Sequence, residues 1–231
     1  MFQPGKPSVA KYDFLHGSNE APKISIGTHF VSLMTLLLII MVETCYSRSL
    51  FDRSLDDIIK IQEGASSAGS TLWNIYSNIG LSLAVALPPF VFYVIYWDRL
   101  HSFFYIVNLT AMLTMMNVTK LWYHQERPFW VSPDIEAYEC TTQFGNPSGH
   151  SLFSMGAAMT MWLDFNQRYK DNEHSKFQPI WVRIAALILA LLFAFTIGYS
   201  RVFLGAHSWN QLLFGWQLGM WISLTFYFCY Q

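Results

Sequence analysis

Six long apolar stretches constrain this chain more than any other feature. They occupy residues 24–46, 79–97, 103–122, 151–165, 180–199 and 212–230 of 231. An α-helix needs roughly 20 residues to cross a ~30 Å hydrocarbon core, and most of the six reach about that length. The fourth does so only if its helix begins near Pro147. A soluble protein that buried six such helices would need more polar surface than this sequence has. Apolar residues make up 53% and charged residues 13%, against about 25% charged in an ordinary globular domain. Nine Trp, twelve Tyr and nineteen Phe suit the aromatic belts of a membrane interface. The expectation is an all-α integral membrane protein with six transmembrane helices forming a bundle. A net charge of −1 gives nucleic acid nothing to bind.

Residues 1–23 read as a polar tail and residues 24–231 as one domain. No small-residue cleavage pattern follows the first run, so it reads as a span and not as a signal peptide. An even number of spans puts both termini on one side. That side carries Lys6, Lys11, Lys23, Arg99, Arg168, Lys170, Lys176 and Arg183, eight in all, against six on the other: Arg48, Arg53, Lys60, Lys120, Arg127 and Arg201. The excess of cations predicts cytosolic termini, with the remaining connections lumenal or exoplasmic, in the endoplasmic reticulum or another endomembrane. Residues 54–64, SLDDIIKIQEG, begin like a capped helix at Ser54. They read either as a short helix lying in the interface or as one packed on the bundle. Residues 166–179 read as a solvated cytosolic loop. Asn108 and Asn117 match the glycosylation pattern but lie inside the third run, where contacts between helices are expected instead. Three cysteines make no disulfide framework. Cys45 and Cys140 fall on the same inferred side and are expected to be free thiols.

Polar residues gather in the connections on the non-cytosolic side. KLWYHQERPFW closes the third run, with Lys120 and Arg127, and Pro128 ends any helix there. QFGNPSGHSLF opens the fourth, with Asn146 as expected N-cap and Pro147 as first helical residue. The N–H groups of Ser148 and Gly149, at the positive end of that helix, would then face an anion, with His150 on the same turn. YSRVFLGAHSW joins the fifth and sixth runs and carries Arg201 and His207. A charge at the bilayer centre costs about 2.5–3.5 kcal/mol on insertion scales. Three cations and two histidines on one side therefore imply a bound polyanion, and phosphate is the natural candidate. That places an active site at one membrane face.

The order and spacing resemble the signature of the type-2 phosphatidic acid phosphatase and vanadium haloperoxidase superfamily, in its membrane branch. The residues that carry the likeness are Lys120…Arg127-Pro128, Pro147-Ser148-Gly149-His150 and Ser200-Arg201…His207. The resemblance implies phosphatase chemistry without metal or cofactor. It makes His207 the nucleophile of a phosphohistidine intermediate and His150 the acid for the leaving oxygen. Lys120, Arg127, Ser148, Gly149 and Arg201 would bind the phosphoryl group. The family usually has Asp four residues after the last histidine, and this chain has Gln211. In that it is similar to glucose-6-phosphatases, which also share a run like Arg127-Pro128-Phe129-Trp130. The implied partners are membrane lipids and a phosphorylated lipid or, alternatively, a sugar phosphate. Three other classes are open to such a sequence. A vanadate-dependent oxidant enzyme would use the same oxyanion cradle, but relatives of that kind are soluble. A catalytically silent member could serve as a structural subunit of a membrane assembly. A transporter or haem-binding bundle would explain histidines near spans, but not this ordered triplet of phosphate-binding motifs.

Overall fold

The computed structural model describes residues 26–95, 97–171 and 180–230, and these are helical with no strand among them. The tail expected over residues 1–23 lies outside the described residues. Helix α1 spans Ile26–Glu63, α2 Ser67–Phe90, α3 Arg99–Tyr123, α4 Pro128–Val131, α5 Gly149–Asp171, α6 Ile180–Phe203 and α7 Trp209–Tyr230. Four helical stretches are long and apolar enough to cross a membrane: α1, α2 with its continuation to Ile95, α3 with α4, and α6. The chain is an integral membrane protein.

Helix boundaries follow local chemistry. Ser66 caps α2, its Oγ accepting from Gly69 N at 3.1 Å. Pro88 and Pro89 carry no N–H for the helical ladder, and α2 widens into a π turn over Val91–Ile95. Asp98 caps α3 through His101 N at 3.0 Å. Helix α3 ends at His124, in the left-handed conformation with φ 46°.

Two expectations need correction, and one alternative is decided. Ser54 starts no helix: α1 runs unbroken for 38 residues, and Ser54 Oγ bonds back to Leu50 O at 2.5 Å. Of the two readings of 54–64 the packed one holds, because Ile58 is fully buried against Ile135, Val202 and Leu212. Residues 166–171 continue α5 rather than forming loop, and 172–179 lie outside the described residues. The two asparagines also part ways. Asn108 Nδ2 reaches Thr160 Oγ1 on α5 at 3.4 Å, whereas Asn117 bonds only within its own helix, to Leu113 O.

Helices α5 and α7 form the centre, with α1 and α3 against α7 and with α2, α3 and α6 against α5. Helix α5 is the more polar of the two, whereas α7 is about as apolar as α2. Gly215 and Gly219, a G-x-x-x-G pair on α7, lie against the start of α5. A Cβ at Gly215 would sit 2.7 Å from Ser148 O, and one at Gly219 would collide with Leu152 O. Above this contact Met112, Met116, Leu152, Phe214, Leu218 and Ile222 fill the space between α3, α5 and α7.

Gly219→Ala should therefore destabilise the protein by about 1–3 kcal/mol, since the obstruction is backbone that cannot move aside. Its thermal midpoint in detergent checks this. Gly64→Ala, with nothing within 4 Å of the added Cβ, serves as the neutral control.

Candidate active site

The three motifs meet at one end of the helices around a cavity of about 230 Å³. Lys120, Arg127, Gly149, His150, Arg201 and His207 line it, together with Leu81, Met116, Glu139, Thr141, Gln143 and Phe153. Lys120 comes from the last turn of α3, and Arg127 from the residue that caps α4. Gly149 and His150 open α5. Arg201 closes α6, and the chain then turns through Gly205, whose φ of +69° suits a residue without Cβ. Ala206 N and His207 N both bond Arg201 O, at 3.0 and 3.1 Å, which folds His207 back beside the arginine six residues before it.

Two predicted residues stand behind the cavity wall. Helix α5 starts at Gly149, so Ser148, and not Asn146, is its cap: Ser148 O accepts from Leu152 N at 3.0 Å and Ser148 Oγ from Ser151 N at 3.4 Å. Pro147 precedes the helix. Ser148 N is not free for an anion, because it donates to Gln211 O at 2.9 Å. Gln211 is fully buried beneath His207. The helix start still offers an anion the Gly149 N–H and the positive end of α5.

Charge in the cavity is unbalanced. Lys120, Arg127 and Arg201 are only 6%, 3% and 1% exposed, and among the described residues lining the cavity Glu139 is the one carboxylate. Arg201 donates to Glu139 Oε2 at 2.7 Å and to Ser77 Oγ at 3.3 Å, while its buried Nε finds no acceptor among the described residues. Arg127 donates to the carbonyls of Gln143 at 2.6 Å and Ala206 at 2.8 Å, and Lys120 to Gln143 Oε1 at 3.2 Å. Buried charge without a partner is costly. An anion with several oxygens would answer it, and arginine forks suit such an anion.

The hydrogen-bond network fixes the His207 tautomer. Gln211 Nε2 donates to Glu126 O at 2.8 Å, and Gln211 Oε1 accepts from Ser208 N at 3.3 Å, so the amide can face only one way. Its oxygen meets His207 Nδ1 at 3.0 Å, which places the ring proton on Nδ1. Nε2, with its lone pair, is left toward the cavity, 3.2 Å from an N–H donor of Arg127. Burial foremost, and then Arg127, Arg201 and Lys120, hold this imidazole well below the usual histidine range, with Gln211 opposing. His207 is thus a neutral, oriented imidazole at neutral pH. His150 Nε2 lies 3.3 Å from Asn78 Oδ1, and Asn78 is itself oriented by donating to Asn74 Oδ1 at 2.5 Å.

A model of the PAP2 superfamily matches residues 99–231, more than half of the chain. The chain belongs to the PAP2 superfamily. Undecaprenyl-diphosphatase of Sulfolobus acidocaldarius is 30% identical over 51% of this chain and 50% of its own length. Dolichyldiphosphatase 1 of Homo sapiens is 27% identical over 64% of this chain and 60% of its own, and glucose-6-phosphatase 3 of Bos taurus 26% over 48% and 34%. The chain spans between a third and two-thirds of the length of these curated relatives. In fold it is similar to the crystal structure of a transmembrane PAP2 type phosphatidylglycerolphosphate phosphatase from Bacillus subtilis. The TM-score is 0.61 at 19% identity, covering 84% of this chain and 93% of that one.

Several residues of this PAP2 chain that line the cavity, or that bond its Arg201 and His150 from behind, had not been singled out from the sequence. Glu139 and Gln143 sit in the irregular connection between α4 and α5, where no periodicity marks a residue. Ser77 and Asn78 had a usable signal: polar side chains beside an apolar run are costly unless they meet a partner. Cys45 and Cys140 are free, as expected.

In histidine NMR titration, the wild-type His207 ring should stay neutral below the ordinary value of 6.5. Gln211→Glu sets a carboxylate against Nδ1–H, stabilises the imidazolium and so should raise the pH at which His207 titrates. An unmoved titration would remove Gln211 as the group that holds Nδ1.

Proposed function

We propose that the protein is a membrane phosphatase that removes a phosphoryl group from a phosphorylated lipid through a phosphohistidine at His207. The observation that carries this is the excess of buried positive charge around an imidazole whose Nε2 lone pair faces the same cavity, where it accepts from Arg127, a donor that the phosphoryl oxygens would take over. Lys120, Arg127 and Arg201 bind the phosphoryl oxygens, and the Gly149 N–H and the α5 dipole add to them. His207 Nε2 attacks phosphorus in line while the bond to the leaving oxygen breaks. Bound phosphate favours protonation of His150, which gives its proton to that oxygen. His150 then takes a proton from water. The water oxygen attacks phosphorus, the N–P bond breaks, and inorganic phosphate leaves with His207 neutral again. In this reading the three cations provide the charge neutralisation for which other phosphatases use a metal.

A lipid substrate is favoured over a sugar phosphate by the surroundings. The cavity has an apolar wall of Leu81, Met116 and Phe153. Next to Leu81 on α2 begins an apolar groove of about 390 Å³ between α2, α5 and α6, walled by Gly80, Leu83, Ala84, Leu87, Met161 and Phe193. A tail could lie there with its phosphate at the cations. Two of the relatives are diphosphatases of polyisoprenoid lipids by name, which adds support. The fuller reading has six spans in a single domain over residues 24–231, cytosolic termini and a site open to the lumenal or exoplasmic face of an endomembrane.

Purified protein should release phosphate from phosphatidate, sphingoid-base phosphate or an isoprenoid diphosphate faster than from glucose 6-phosphate. His207→Ala should lower turnover by more than about 1,000-fold, and a base-stable phosphoenzyme should form in wild type only. Gln211→Leu should lower turnover about 10-fold, as loss of a group that orients the reacting one does. No hydrolysis of any of the four would leave the silent structural subunit as the reading. Faster release from glucose 6-phosphate would reassign the substrate.

A further inference from the structure

Helix α1 contributes nothing to the cavity wall, yet its buried positions Glu43, Ser47, Phe51, Ser54 and Ile58 form one seam at helical spacing. Three of the five are polar, and each bonds a segment that carries the site. Ser54 Oγ accepts from Trp209 N at 3.1 Å, at the start of α7 and two residues after His207. Ser47 Oγ accepts from Asn210 Nδ2 at 3.0 Å and from Gln125 Nε2 at 3.3 Å. Gln125 in turn accepts from Asn210 at 2.8 Å and holds Gly145 N through its carbonyl at 2.8 Å. Glu43 Oε1 accepts from Asn146 Nδ2 at 2.7 Å, and Asn146 leads directly into Pro147-Ser148-Gly149-His150.

Glu43 is the unusual member. It is a carboxyl group with no exposure, in a helix apolar enough to span a membrane, and no Lys or Arg is among its hydrogen-bond or ion-pair partners in the described residues. An ionisable side chain in such a place is expensive and is kept for a reason. Its Oε2 and the Oδ1 of Asn146 both lack a donor among the described residues, and the Tyr46 and Tyr123 hydroxyls lie beside the carboxyl group. A leucine would fill the volume more cheaply. What leucine lacks is an oxygen for the Asn146 amide.

We propose that Glu43 is a positioning residue: through Asn146 it fixes the segment that carries Gly149 and His150 against the phosphoryl group. The proposal rests on the phosphatase reading above. The link needs an acceptor oxygen at Glu43 and not a charge. Glu43→Gln keeps that oxygen and replaces the unpartnered Oε2 by an N–H group beside the unpartnered Oδ1 of Asn146. Glu43→Ala leaves the Asn146 amide buried and unpaired.

The test is turnover of a phosphorylated lipid by the full chain in lipid nanodiscs. Glu43→Ala should lower kcat by about 10- to 100-fold, the range for a displaced reacting group, with KM moving by less than about threefold because the cations still bind phosphate. Glu43→Gln should regain kcat to within about threefold of wild type. Asn146→Ala should match Glu43→Ala, and the double variant should be no worse than either, since both cut one link. If Glu43→Ala does not yield folded protein, Glu43→Gln and Asn146→Ala still decide the matter. Wild-type kcat in Asn146→Ala, a Gln variant as slow as the Ala variant, or additive losses would each overturn the proposal. If wild-type protein hydrolyses no phosphate ester, the phosphatase reading fails. Binding of inorganic vanadate then becomes the readout, since vanadate takes up the five-coordinate geometry of phosphoryl transfer and so needs Gly149 and His150 in place as well as the cations. Weakening by Glu43→Ala with recovery in Glu43→Gln upholds Glu43, and equal binding by all three, or equal weakening in both variants, overturns it.

Discussion

The arrangement at the site depends on positive charge that the protein leaves without full compensation. Lys120, Arg127 and Arg201 are buried around one carboxylate, Glu139, and part of their hydrogen-bonding capacity goes to backbone carbonyls and a glutamine. Such a cluster costs folding free energy, and it persists only where the surrounding scaffold holds it in place. Burial first, and then the same charge, set the state of His207, because both disfavour an imidazolium and keep the ring neutral. A single electrostatic arrangement thus suits an anion and favours a neutral imidazole beside it.

Holding like charges together demands rigid support, and the helices provide it at three depths. Backbones α5 and α7 approach closely enough at Gly215 and Gly219 to leave no room for side chains. The turn after α6 folds His207 onto the carbonyl of Arg201. Behind both, α1 sends Ser47, Ser54 and Glu43 into the segments that carry the reacting groups. The PAP2 match begins at residue 99 and leaves α1 out.

Much of the site was legible in the sequence because its cations and histidines are short-range anomalies: charge beside an apolar run stands out without any structure. Lys120, Arg127, Gly149, His150, Arg201 and His207 meet in one cavity as their spacing implied. Ser148 was misplaced by three hydrogen bonds that spacing cannot reveal, two capping α5 and one tying its N–H to Gln211. Glu139 and Gln143 were invisible because an irregular connection has no period to read. In the fold, α1 hid its true length, since Ser54 and the acidic residues after it imitate a helix start in mid-helix. Helix α5 looks weakly apolar because small and polar side chains such as Ser151, Ser154, Ala157, Ala158 and Thr160 fill its buried positions.

One atom joins these levels. The carbonyl oxygen of Ser148 accepts the first hydrogen bond of α5 and is also the surface against which Gly215 rests. The turn that presents Gly149 and His150 is therefore gripped on both sides, by its own helix and by the next. Such a double clasp makes it a fixed wall of the cavity, whereas Glu139 and Gln143 line the same cavity from the irregular α4–α5 connection.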